Sequence, residues 1–160
     1  MKLQVLKPTD GDSVKNRVTV FLAGSIEMGV AEDWQTKLAN DLQDIQVTLF
    51  NPRRDSWDSS WEQRMSNPEF RYQVNWEMNM LEASDIIFLY LSPETKSPIS
   101  LHELGLHADS GKMIVCCPDG FWRKGNVEIT CARHGIPLYN DIDYAKAALI
   151  TLISSKNNIK

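Results

Sequence analysis

Histidine and cysteine are both scarce in this chain, three of each among 160 residues, and that scarcity narrows the chemistry before any motif is sought. Two of the cysteines, Cys116 and Cys117, are neighbours on an apolar run. Adjacent strand residues point to opposite faces, so these thiols do not make a disulfide framework and read as reduced core groups. His102 and His107 flank Glu103, but a zinc-protease helix needs its histidines four apart to share a face, and these are five apart. No metal site and no cofactor are expected. Glycine is missing where a nucleotide cradle would need it. Gly24 stands alone after the first strong hydrophobic run, so neither a dinucleotide fingerprint nor a phosphate-binding P-loop is present. No apolar stretch approaches the roughly 18 residues that cross a bilayer, and the N-terminus carries no apolar leader with a small-residue cleavage site. The expected compartment is the cytoplasm, with no membrane partner. With 17 basic residues against 21 acidic and no Lys/Arg stripe, duplex nucleic acid is not an expected partner, and any nucleotide handled is small.

What the chain does contain is an alternation of hydrophobic runs and amphipathic stretches. The length suits one domain, residues 1–160, with one good core and no linker, repeat or low-complexity segment. Val18–Leu22 reads as a buried strand broken at Ala23-Gly24-Ser25, and a helix over about Glu32–Leu42 follows, with Trp34, Leu38 and Leu42 at helical spacing. Val47–Phe50 is a second strand ended by Asn51-Pro52, and a long polar and aromatic loop runs from Arg53 to Asn67. Pro68 suits the first turn of a helix reaching Ala83, with Phe70, Val74, Met78 and Leu81 on one face. Ile86–Leu91 and Met113–Cys117 are the next strands, Pro137–Tyr139 is a short fifth, and a helix over about Ile142–Ser154 closes the chain. The pattern predicts an α/β fold with a doubly wound parallel sheet of five strands, flavodoxin-like or Rossmann-like. Leu3–Leu6 is a candidate extra edge strand. Right-handed crossovers would bring the loops after Leu22, Phe50 and Leu91 to one edge, where Ser25, the 53–67 loop and Glu103 can converge.

Glu103 is the most informative residue, because it opens a helix just after the strongest hydrophobic run, where a first-turn carboxylate points into the crevice of a parallel sheet. Two readings compete. Ser100-Leu101-His102-Glu103 is also a capping-box pattern, in which the glutamate merely closes the helix start. Glu77 divides the same way, between a second working carboxyl and a solvent-facing helix position. In the long loop, Trp57 and Trp61 with Arg53, Asp55 and Asp58 could sandwich a nucleobase, or the tryptophans could belong to a short helix docked on the core or on another subunit. Cys131 and His134 could share a helical face, which is more often packing than a nucleophile.

The ordered set Phe21-Leu22-Ala23-Gly24-Ser25-Ile26, then Glu77 eight residues before Asp85-Ile86-Ile87, then Ser97 six before Glu103-Leu104-Gly105, resembles the nucleoside 2-deoxyribosyltransferase family and its relatives, the deoxynucleotide N-glycosidases, over about Val18–Pro118. The resemblance implies that Glu103 is the nucleophile attacking the anomeric carbon and that Glu77, in place of the usual aspartate, helps the base depart. Ser97 and Ser25 match the glycosidase branch, whereas the transferases have an aspartate at the position of Ser97; taken together, the residues of the resemblance do not separate the two branches. The glycosidases follow Gly-Ser-Ile with an arginine that holds a 5′-phosphate. Here Glu27 stands there, which favours a free nucleoside, although Arg53 or Arg54 could substitute or be plain surface charge. The resemblance also implies that Asn126, in the segment Phe121–Val127, serves the neighbouring subunit's site in a homo-oligomer. Gly24, Ser25, Asn51, Arg53, Asp55, Trp57, Ser97 and Asn126 are thus the candidate substrate-binding residues for a nucleoside or nucleotide and a free nucleobase. Transfer to another base is the first expectation and hydrolysis the second; a non-catalytic nucleotide-binding module is the competing class.

Overall fold

A computed structural model describes residues 2–11, 13–15, 17–26, 31–54 and 60–159. β1 (Leu3–Leu6), β2 (Thr19–Gly24), β3 (Val47–Phe50), β4 (Ile86–Tyr90), β5 (Met113–Cys116) and β6 (Leu138–Tyr139) form one sheet. Its order is β1-β3-β2-β4-β5-β6, and every neighbouring pair is parallel. The sheet therefore has six strands rather than five. The additional one is β1, whose Leu3–Leu6 pair in register with Val47–Phe50. It is easy to overlook in the sequence because it lies at an edge and only Leu6 is fully buried. Without it, the order is that of a flavodoxin-like doubly wound sheet, and the strand order reverses between β2 and β4.

The period of two along each strand splits the core into two layers. Phe21, Ala23, Ile87, Leu89 and Val115 face α2 (Pro68–Ala83), α3 (Pro98–His107) and α4 (Lys124–His134). Val20, Leu22, Ile86, Phe88 and Ile114 face α1 (Trp34–Asp41) and α5 (Ile142–Asn157). Cys116 and Cys117 fall on opposite faces, and all three cysteines are free and buried. Asp85 lies at the far end of the sheet from the crevice. Its Oδ2 accepts from the Thr19 amide at 2.9 Å and the Thr19 hydroxyl at 3.1 Å, which pins the starts of β2 and β4 together.

Two helices differ from the sequence reading. The buried stripe of α2 is Gln73, Trp76, Met80 and Leu81, while Met78 is 42% exposed. Trp76 turns the helix this way. Its ring packs against Phe21 and Phe50, with centroids 6.3 Å from each, and its indole N–H donates to the Gly11 carbonyl at 3.3 Å. α3 begins at Pro98, so Glu103 sits in its second turn and does not open it. Proline suits the first helical position because its fixed φ is already helical and it brings no N–H to satisfy.

Candidate active site

The crevice forms where the strand order reverses, and Gly24 makes its floor possible. Its φ is +135°, and a Cβ there would drive into the Tyr90 backbone on β4. The close approach lets the Ser25 amide donate to the Tyr90 carbonyl at 3.0 Å. The Ser25 hydroxyl then accepts from the Ser92 amide at 2.8 Å and meets the hydroxyls of Thr95 at 2.8 Å and Ser97 at 2.7 Å. Thr95 and Ser97 close the triangle at 2.7 Å, and all three side chains are buried. From the outer side, the Trp34 indole donates to the Ser25 carbonyl at 3.0 Å.

Ser97 is the N-cap of α3 and has a left-handed backbone, φ 46° and ψ 55°. It is the only non-glycine with positive φ among the described residues, and its side chain makes no cap hydrogen bond to the helix, facing the triangle instead. Such a conformation costs on the order of 1–3 kcal/mol and persists where surrounding contacts impose it.

Six residues on, about 9 Å along the helix axis by the usual rise, Glu103 is 8% exposed. The capping-box reading fails because Glu103 is three positions too far into the helix. Among the described residues its carboxyl group receives no hydrogen bond. Burial and the facing carboxylate of Glu77 push it up to about 8. Glu77, half-buried on α2, is pushed up by burial to about 7, against the opposing effect of a hydrogen bond from Gln73. Two carboxyl groups from neighbouring helices thus share a poorly solvated space, and among the described residues no cation is paired to either.

The other candidates divide. Asn51 is buried at the end of β3, where its side-chain oxygen accepts from the Arg53 amide at 3.0 Å and its own amide donates to Leu6 at 2.8 Å. The Arg53 guanidinium is tied to the entrance of α1, donating to the carbonyls of Ala31 at 2.6 Å and Glu32 at 3.1 Å. Asp55 and Trp57, with Asp58 and Glu27, lie outside the described residues. Asn126 is exposed on the first turn of α4, beside Arg123 along a groove between α3 and α4, and is not part of the hydroxyl triangle. Thr95, Ser92 and Gln73 belong to the site without standing out in the sequence. For Gln73 the usable signal is its spacing, one helical turn before Glu77.

A family model described as nucleoside 2-deoxyribosyltransferase like matches residues 17–121. The chain belongs to that family. The matched stretch of the nucleoside 2-deoxyribosyltransferase-like fold runs from the start of β2 through the loop after β5, and so holds Gly24, Ser25, Glu77, Ser97 and Glu103; β1 and helices α4 and α5 lie beyond it. A crystal structure of a conserved protein from Enterococcus faecalis V583 is similar, at 13% identity and a TM-score of 0.49, covering 86% of this chain and 88% of that one. No curated protein matches the chain.

Proposed function

We propose that this nucleoside 2-deoxyribosyltransferase-like protein cleaves the N-glycosidic bond of 2′-deoxynucleosides and passes the deoxyribosyl group to a second nucleobase. The observation behind the reading is the facing pair Glu77 and Glu103, with Glu103 not consumed by a helix cap. With the two groups raised to about 7 and about 8, the pair holds roughly one proton between those values. The higher value at Glu103 puts that proton mostly there at rest. The double displacement runs from the other arrangement of the same singly protonated pair, with Glu103 ionised to attack and Glu77 holding the proton for the departing base. The Glu103 carboxylate forms a bond to C1′ while the C1′–N bond breaks. The electron pair goes to the base nitrogen, which takes the Glu77 proton. A second base, giving its proton back to Glu77, attacks C1′ and expels Glu103.

The substrate favoured is the free nucleoside, since of the two candidate phosphate ligands Arg53 is engaged with the entrance of α1 and Arg54 donates to Gln73. In this reading the enzyme acts on small molecules in the cytoplasm as a homo-oligomer, with the exposed Asn126 offered to a neighbouring copy.

The test is chromatography of each 2′-deoxynucleoside incubated with the protein, with and without a different free base, alongside Glu103→Gln. An exchanged nucleoside that disappears in the variant supports transfer. Free base alone makes the protein a hydrolase, and no product from nucleosides or their monophosphates leaves a binding module.

A further inference from the structure

Resting on the reading of Glu77 as the group that serves the leaving base, we propose that Gln73 is a positioning residue that fixes which oxygen of Glu77 carries the transferable proton. Gln73 is 3% exposed and lies one turn before Glu77 on α2. Its Nε2 donates to the Pro52 carbonyl at 3.1 Å and to Glu77 Oε1 at 3.0 Å, and its Oε1 accepts from Arg54 Nη1 at 3.5 Å.

These partners leave the amide one orientation. A guanidinium only donates and a backbone carbonyl only accepts, so turning the amide over would set donor against donor at Arg54 and acceptor against acceptor at Pro52. Nε2 must therefore face Glu77. Glu77 Oε1 takes an N–H in either protonation state, and the proton, when present, resides on Oε2. Among the described residues, the charged groups facing Glu77 are Glu103 from α3 and, across Gln73, Arg54 from the loop after β3. Burial and Glu103 favour the protonated form of the pair, and the Gln73 hydrogen bond opposes them at Glu77. Because Pro52 and Arg54 belong to one loop, the same amide joins the acid's orientation to the loop that follows β3.

The experiment is a carbon-13 NMR titration of the whole protein labelled at glutamate, with the Glu77 signal identified by its loss in Glu77→Gln. Gln73→Met should raise the Glu77 midpoint by about one pH unit, a roughly tenfold fall in its acid constant. In turnover, the alkaline limb of kcat should move the same way while KM changes little. Arg54→Met, which unpins Gln73 Oε1, should give a smaller rise in the same direction, and it keeps the test open if Gln73→Met does not fold. A midpoint that stays put in whichever variants fold overturns the proposal. A midpoint that moves in a protein that cleaves no nucleoside supports the Gln73 arrangement and overturns the catalytic reading of Glu77.

Discussion

Ser25 and Ser97 are 72 residues apart in the chain, and their hydroxyl oxygens are 2.7 Å apart. Ser25 ends the turn after β2 and Ser97 starts α3, so this bond spans the point where the strand order reverses. It also occupies the side chain that would otherwise cap α3.

Ser25→Ala should lower stability by about 1–3 kcal/mol in urea unfolding, since it leaves the buried Ser92 amide without its acceptor. Turnover should fall with it, because the start of the Glu103 helix loses its tie to β2. A variant as stable as the parent would mean that water replaces the hydroxyl.

Gly24→Ala should be far more damaging, with a loss of about 3 kcal/mol or more. Both the positive φ and the Tyr90 backbone oppose a side chain there. The expected readout is insoluble protein or a melting temperature lowered by roughly 6–12 °C or more, at about 2–4 °C per kcal/mol for a domain of this size.

The rate of base release should follow a bell in pH with its top between about 7 and about 8. Below that range the pair gains a second proton and loses its nucleophile; above it the pair loses the proton the base requires. Glu103→Gln should abolish turnover at every pH, and Glu77→Gln should remove one limb. A parent profile flat from pH 6 to 9 would count against the shared proton.

Stability should move against function at the same residue. Glu103 is raised from 4.5 to about 8 in the fold, so between these values the native state holds more proton than the unfolded chain. Its contribution is complete below about 4.5 and is lost as pH rises toward 8. Glu103→Gln should therefore stabilise the protein at pH 7.5 by roughly 2–4 kcal/mol, since each tenfold change in proton affinity is worth about 1.4 kcal/mol, and change little at pH 4. Thermal melts at the two pH values would decide it.

If Asn126 serves a neighbouring copy, mixing the inactive Asn126→Ala and Glu103→Gln proteins should restore activity. For random exchange between dimers, about a quarter of the sites would be intact. No recovery after verified exchange would confine Asn126 to its own chain.

Much of this arrangement is written in local pattern. β2, β3, β4 and β5 show as apolar runs because both faces of a parallel sheet are covered, and Pro68 and Asn67 mark the start of α2 through the proline position and the cap. β1 is faint because an edge strand with three half-buried residues has little hydrophobic signal. Spacing alone misplaces the buried face of α2, because a buried glutamine looks polar until its partners, Arg54, Pro52 and Glu77, are in place.

The periodicity of apolar residues is enough to settle the parallel sheet, its two covered faces and the edge at which loops gather, because burial acts on each element through its own repeat. It also singles out Glu103 as a carboxylate near that edge. Sequence spacing leaves open whether Glu103 caps its helix, and the answer comes from Pro98 and Ser97, whose backbone is held in place by Ser25 across the sheet. The repulsion between Glu77 and Glu103 likewise exists only once α2 and α3 lie side by side, since low dielectric and proximity belong to the packed molecule and not to any stretch of chain.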